Sequence, residues 1–237
     1  MGVVLGVQRC DYGRSHLMTT ARNLIKNRIK AGNAVIGVGC YSAALTATDF
    51  NKVIKVGNTT SDPWLDFYHD VILPNPGNQH LPQVYSMHID HANDYYVAVV
   101  ERLYKHSDRE YGDIDGTDQL EDTICDFIND GTMSREQFLE KLEDCWTCFG
   151  DYDEHQLWKA CTEIRQLISN SDNSYECGCD DGDCMECNSN LLQLDLHTSN
   201  ILYRDDSVLV INDPICNADM EDVDDLSYWA DEMEIVD

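Results

Sequence analysis

An α+β fold, strands first and helices after, follows from three features of the 237-residue chain. Between Asn33 and Leu103, short apolar runs punctuated by glycine have the texture of strands. Beyond Leu103, apolar residues recur at a spacing near 3.6 over three successive segments. The charge divides at the same place: residues 1–103 carry nine Lys or Arg against eight Asp or Glu, whereas residues 104–237 carry seven against thirty-six. The length suits one large domain or two closely packed lobes, at about 100–200 residues per domain. With 43% hydrophobic residues, four Trp and twelve Tyr, wholesale disorder is excluded. A formal charge of −28 disfavours a nucleic-acid binder, because phosphate neutralisation needs clustered cations.

The elements follow in order. His16 to Lys30 places Leu17, Ala21, Leu24, Ile25 and Ile29 near helical spacing with Arg22, Lys26, Arg28 and Lys30 between them, predicting an amphipathic helix with a solvated basic face. This forms an N-terminal segment over 1–33. The strand-rich unit spans 34–103. Ala34 to Ile36 leads into Gly37-Val38-Gly39, and a turn at Asp49-Phe50-Asn51 precedes a strand over Lys52 to Gly57. Alternation there puts Val53, Lys55 and Gly57 on one face and Ile54 and Val56 on the other. Asp62-Pro63 opens one or two helical turns reaching Ile72, Pro74 begins a loop, and Leu81 to Met87 and Tyr95 to Val100 read as strands joined by a polar turn. The second unit, 104–218, has helices over Thr117 to Asn129, Ser134 to Phe149 and Glu154 to Ser169, with Ser134 and Gln137 forming a capping box. A polar, Cys-rich insertion occupies 170–190. Short strands at Leu191 to Leu196 and Val208 to Ile211 follow, and the acidic tail 219–237 holds nine acids and no base.

Three separated pieces fit one reaction. Glycines at Gly37 and Gly39 let backbone approach phosphates that a side chain would block. A strand lysine, Lys55, supplies a cation for phosphate oxygens. Late in the chain, Asp195, Asn200 and Asp213 supply oxygen donors of the kind magnesium prefers, with one carboxylate left to take a hydroxyl proton. Each piece alone is common loop or strand chemistry; their order is what points to phosphoryl transfer.

That order resembles the protein-kinase fold, and more closely the early-expressed serine/threonine protein kinases of short-tailed bacteriophages. The resemblance is carried by Gly37 to Ala44, Val53-Ile54-Lys55-Val56-Gly57, Leu81-Pro82-Gln83-Val84-Tyr85, Tyr96 to Leu103, and Asp195-Leu196-His197-Thr198-Ser199-Asn200-Ile201-Leu202 with Asp213-Pro214. It implies a bilobal fold with a small β-rich N-lobe and a helical, shortened C-lobe interrupted by acidic and Cys-rich insertions. It also implies ATP and magnesium as cofactors. Gly37, Gly39, Tyr41 and Ser42 would cover the phosphates, Lys55 would bind them, and Glu101 to Leu103 would hinge the lobes and meet adenine. Asp195 would be the catalytic aspartate, with Asn200 and Asp213 on magnesium. Departures accompany these matches: Ser42 replaces a third glycine, Gln193-Leu194 stands where His-Arg is usual, and Pro214-Ile215 follows Asp213 in place of Phe-Gly. The acidic partner of Lys55 is open among Asp62, Asp66 and Asp70. His197 shares a pattern with aminoglycoside and choline kinases, so a small-molecule acceptor stands beside a protein one.

The resemblance implies transfer to Ser or Thr hydroxyls of host bacterial proteins, in the cytoplasm of an infected cell, with basic surfaces favoured by the acidic half. No direct nucleic-acid partner and no membrane are expected, since no apolar run approaches the ~18 residues of a span. A binding protein imitating nucleic acid on a degenerate kinase core is the alternative that the charge favours. Cys177, Cys179, Cys184 and Cys187 crowd four thiols into a short stretch. Cys-x-x-Cys suits a zinc knuckle, while the tight Cys-x-Cys and neighbouring Asp180, Asp181 and Asp183 suit an acidic surface insertion. Purified protein carrying about one equivalent of zinc, lost when Cys184 and Cys187 are replaced together, is expected of a knuckle. Metal-free protein with four titratable thiols in this stretch would identify a surface insertion.

Overall fold

The computed structural model describes residues 12–105, 117–145, 153–173, 192–196, 200–204 and 208–217. Helix α1 (Tyr12–Lys30) leads into β1 (Val35–Val38), β2 (Ser42–Thr46), β3 (Lys52–Gly57), β4 (Val84–Asp90) and β5 (Tyr95–Glu101). These make one antiparallel sheet in the order β1-β2-β3-β5-β4. Alternation along β3 sets its two faces. Ile54 and Val56 join Val35, Ala43 and Leu45 in a layer covered by Ile25 of α1. Val53 faces the opposite way with Ala98 and Val100, into a larger cluster. The N-terminal helix is thus packed on the sheet through its apolar stripe, and it begins at Tyr12, ahead of the expected His16.

Between β3 and β4 the chain forms α2 (Trp64–Phe67), opened by Pro63, then a single π-turn over Tyr68–Ile72. Asn75 Nδ2 donates to Val71 O at 2.7 Å, satisfying a carbonyl at the end of that turn. Strand β4 starts at Val84, not at Leu81 as the apolar run suggested. Leu81 N–H closes a turn on Asn78 O, Leu81 itself is buried, and Pro82 has no N–H to give a ladder.

The second half contains α3 (Thr117–Asn129), α4 (Arg135–Cys145) and α5 (Glu154–Asn173). The capping box at the start of α4 is formed in both directions: Gln137 N donates to Ser134 Oγ at 3.2 Å and Ser134 N to Gln137 Oε1 at 2.9 Å. Helix α5 runs past the expected Ser169 to Asn173, so the beginning of the 170–190 segment is helical. Four short strands follow, β6 (Leu192–Leu194), β7 (Ile201–Tyr203), β8 (Leu209–Ile211) and β9 (Ile215–Asn217), paired antiparallel as β6–β9 and β7–β8.

One continuous apolar cluster runs from the inner face of the sheet through Trp64 and Phe67 to Ile124, Phe138 and Ile164 of the helices and Ile211 and Ile215 of the late strands. Polar fastenings reinforce the junction. The Arg204 guanidinium meets both oxygens of Glu101 at 2.7 Å and also donates to the carbonyls of Gln79 and Leu81. Tyr104 and Tyr203 exchange backbone hydrogen bonds of 2.9 Å. Among the described residues, no helix is long and apolar enough to cross a membrane.

His80 is fully buried at the same junction. Its Nδ1 lies 2.9 Å from Leu209 O, and its Nε2 accepts from Asp153 N at 3.2 Å. One nitrogen must donate and the other accept, which requires the neutral ring, and burial holds its pKa down at about 4. A lowered folded-state pKa means the unfolded chain binds the proton first. Stability is therefore expected to be fully present above about pH 6.5 and to fall toward pH 4, by on the order of 3 kcal/mol from this group. Denaturant unfolding between pH 7 and pH 4 checks this: His80→Gln should show a shallower pH slope than the parent, and equal slopes would remove His80 as the cause.

Candidate active site

The sheet presents Lys55 in a row of small residues. Gly37 on β1 pairs with Ala44 on β2, Ala44 with Lys55 on β3, and Lys55 with Ala98 on β5. Residues directly opposite on neighbouring strands share a face, so two alanines flank the lysine and leave its ammonium standing clear of the sheet. Gly37 and Gly39 both have ordinary φ. A Cβ added at Gly37 would come no closer than 3.9 Å to Ala44 Cβ, and one at Gly39 no closer than 3.8 Å to Ser42 O. Packing therefore demands glycine at neither position.

Lys55 Nζ lies 2.8 Å from Asp213 Oδ2, with side-chain exposures of 11% and 31%. The late strands deliver Asp213 to this point. Pairing of Leu194 with Ile215 brings the end of β6 beside the start of β9, and Asp195 N donates to Pro214 O at 2.8 Å. Asn212 N donates to Asn200 O at 2.9 Å, and Asn200 Nδ2 donates to Asp195 O at 2.6 Å. That last bond orients the Asn200 amide, making its oxygen the atom able to face a cation. Asp195, Asn200 and Asp213, distant in sequence from Lys55, are thus gathered together, with Asp213 set against the lysine.

Asp62 lies beneath the pair. Tyr96 Oη donates to Asp62 Oδ2, and Trp64 N donates to Asp62 Oδ1 at 3.0 Å. Burial pushes the Asp62 carboxyl up; Lys55 opposes the shift and Asp213 adds to it. Of the three candidate acids, Asp66 and Asp70 are exposed, while Asp62 is buried within the field of Lys55. The direct partner is a fourth residue, Asp213. Gly57 makes this niche possible: a Cβ there would sit 2.6 Å from both Asp62 Oδ2 and Tyr96 Cε1.

Of the remaining expected site residues, Tyr41 and Ser42 border the niche around Asp62 and Gly57. Tyr41 is turned inward beneath the β1–β2 turn near Cys40, Cys216, Asn217 and Asp62, and burial pushes its phenol up to about 12. Ser42 is buried opposite Gly57. The Glu101 carboxylate is occupied by Arg204 and by Gln83 N at 2.7 Å. The N–H groups of Glu101, Arg102 and Tyr104 bond to backbone carbonyls, and Leu103 between them takes part in none of these bonds. His197, Cys177, Cys179, Cys184 and Cys187 lie outside the described residues. Among the described residues, no group of three or more His, Cys, Asp or Glu side chains could hold a metal ion. Asn200 and Asp213 offer two oxygen donors, which suits an ion that keeps several waters and substrate phosphates in its shell.

No family model matches the chain, and no curated protein matches it. Among solved structures, aminoglycoside phosphotransferase APH(4)-Ia matches over 82% of this chain and 70% of its own, at 12% identity and a TM-score of 0.34. A likeness this distant leaves the chemistry to be argued from the residues themselves.

Sequence reading missed Gly57, Trp64 and Tyr96 as parts of the site. The only signal for them was a glycine ending a strand and aromatics at apolar positions, which ordinary packing also produces. The glycines separate cleanly in stability: Gly57→Ala should cost about 1–3 kcal/mol through overpacking, while Gly37→Ala and Gly39→Ala should change unfolding by under about 1 kcal/mol. Thermal or denaturant unfolding of the three variants checks this, and equal stability of Gly57→Ala and the parent would contradict the niche.

Proposed function

We propose that the chain is a phosphotransferase that moves the γ-phosphoryl group of ATP, with magnesium, to a hydroxyl acceptor. The single observation that carries the reading is the 2.8 Å contact between Lys55 and Asp213, formed where Asp195 and Asn200 also converge. A strand lysine beside a carboxylate, an amide and a second carboxylate is the donor set that a metal-bound triphosphate requires.

The roles follow from position. The backbone at Gly37 and Gly39 closes over the phosphates, whose approach a Cβ would hinder. Lys55 neutralises nonbridging oxygens, at a site where the low dielectric strengthens each contact. Asp213 and the Asn200 oxygen would hold magnesium, which when bound would offset the charge developing on the transferred group. Asp195 takes the proton of the attacking hydroxyl as the new oxygen–phosphorus bond forms, and the bond to the bridging oxygen breaks with its electron pair leaving on ADP. The nearby Leu103 backbone is suited to meet the adenine edge, since its neighbours' N–H groups are already engaged.

For the acceptor, the reading is a serine or threonine hydroxyl of a protein with a basic surface. It is supported by the resemblance to short-tailed-phage kinases and by the thirty-six acids of residues 104–237, which attract cationic partners over a Debye length of about 8 Å at physiological salt. On the same grounds the substrates are proteins of a bacterial host, met in its cytoplasm.

Radiolabelled ATP offered with a basic protein, an acidic protein and a small-molecule hydroxyl acceptor tests both levels. Label should enter the basic protein, less so as salt rises, and Asp195→Ala should lower transfer about 10²- to 10⁴-fold. Label confined to the small molecule would reassign the acceptor, and undiminished transfer by Asp195→Ala would end the phosphotransferase reading.

A further inference from the structure

Lys55 has a second contact besides Asp213. Its Nζ stands 4.6 Å from the centre of the Trp64 ring, within reach of a cation–π interaction. The ring is 1% exposed, so little water competes for it. Tyr68 and Tyr96 stack on it at 5.8 and 5.6 Å, each inclined by 14°. Those separations are offset stacks, which leave part of the indole to the ammonium. Asp62 fixes the arrangement from below, accepting from Trp64 N and from Tyr96 Oη.

We infer that Trp64 is the positioning residue for Lys55, holding the ammonium by its ring face while the lysine's N–H groups serve phosphate. The inference rests on the phosphotransferase reading. Asp213 is needed by both the lysine and the metal, so it cannot hold Lys55 in place at full strength when nucleotide is bound. A carboxylate partner would also occupy one of the three ammonium hydrogens. A π face attracts the charge without demanding a directed N–H bond, so its grip is compatible with phosphate contacts on the other side. Asp66 and Asp70, on the same helical stretch, are exposed, and the buried Asp62 is engaged by Trp64 N and Tyr96 Oη, which leaves the ring of Trp64 as the surface that meets the ammonium.

Two measurements on the full chain test this. The ε-methylene resonance of Lys55, assigned by its absence from the spectrum of Lys55→Arg, should be shifted upfield by the indole ring current. It should stay shifted when magnesium and a nonhydrolysable ATP analogue are added. Kinetically, Trp64→Leu should lower kcat/KM for ATP about 10- to 30-fold, with Trp64→Phe recovering most of the loss and the acceptor KM unchanged, as a cation–π contact predicts. Should Trp64→Leu fail to fold, Trp64→Phe and the resonance decide. A resonance at the ordinary lysine position with nucleotide bound overturns the proposal. So does full activity in folded Trp64→Leu when Lys55→Ala is inactive, and that pairing leaves the phosphotransferase reading intact. Transfer that survives Lys55→Ala overturns that reading and, with it, this one.

Discussion

The ion pair between Lys55 and Asp213 joins residues 158 positions apart, and the rest of the site is organised around it. Lys55 reaches the pair because strand alternation turns it toward the helices and Ala44 and Ala98 leave space on either side. Asp213 reaches it because two very short strand pairs fold the late chain back on itself. A partly buried pair of this kind adds little net stability, since desolvation offsets much of the Coulomb attraction. Its consequence is positional: the only cation on the inner face of β3 is set against oxygen donors from the other end of the chain.

That position is held by a junction with little freedom. A single apolar cluster passes from the sheet to the helices, and the Glu101–Arg204 pair, the Tyr104–Tyr203 bridge and buried His80 cross the same boundary. Close-packed interiors transmit displacement, not absorb it. The fastening of Glu101 gives its carboxylate an architectural part at this boundary. Its carboxylate is the acceptor that lets a half-buried arginine tie three carbonyl and carboxylate groups together.

Much of this was legible in the sequence where the signal was local. The two faces of Lys52–Gly57 followed from period-two alternation, and the α4 cap followed from Ser134 and Gln137. Strands β7 and β9 were not legible, because three residues are too few to display a period and their pairing is set by tertiary contacts; β6 and β8 are as short but lie within the longer apolar stretches Leu191 to Leu196 and Val208 to Ile211. Lys55's partner was sought in Asp62, Asp66 and Asp70, close in sequence; no local pattern relates Lys55 to Asp213. Trp64 was hidden for a different reason. A buried aromatic on a short helix is what any core contains, and only the ammonium above it distinguishes this one.

The central claim is that Lys55 and Asp213 act together on a magnesium-bound nucleotide. Calorimetric titration of ATP, with and without magnesium, into the parent protein and Asp213→Asn tests it most directly, because it measures the ligand shared by the two residues without requiring an acceptor. The account predicts that magnesium tightens binding to the parent, and that Asp213→Asn loses this dependence while still binding ATP through Lys55. Binding to the parent that is indifferent to magnesium, or an equal magnesium effect in Asp213→Asn, would contradict it.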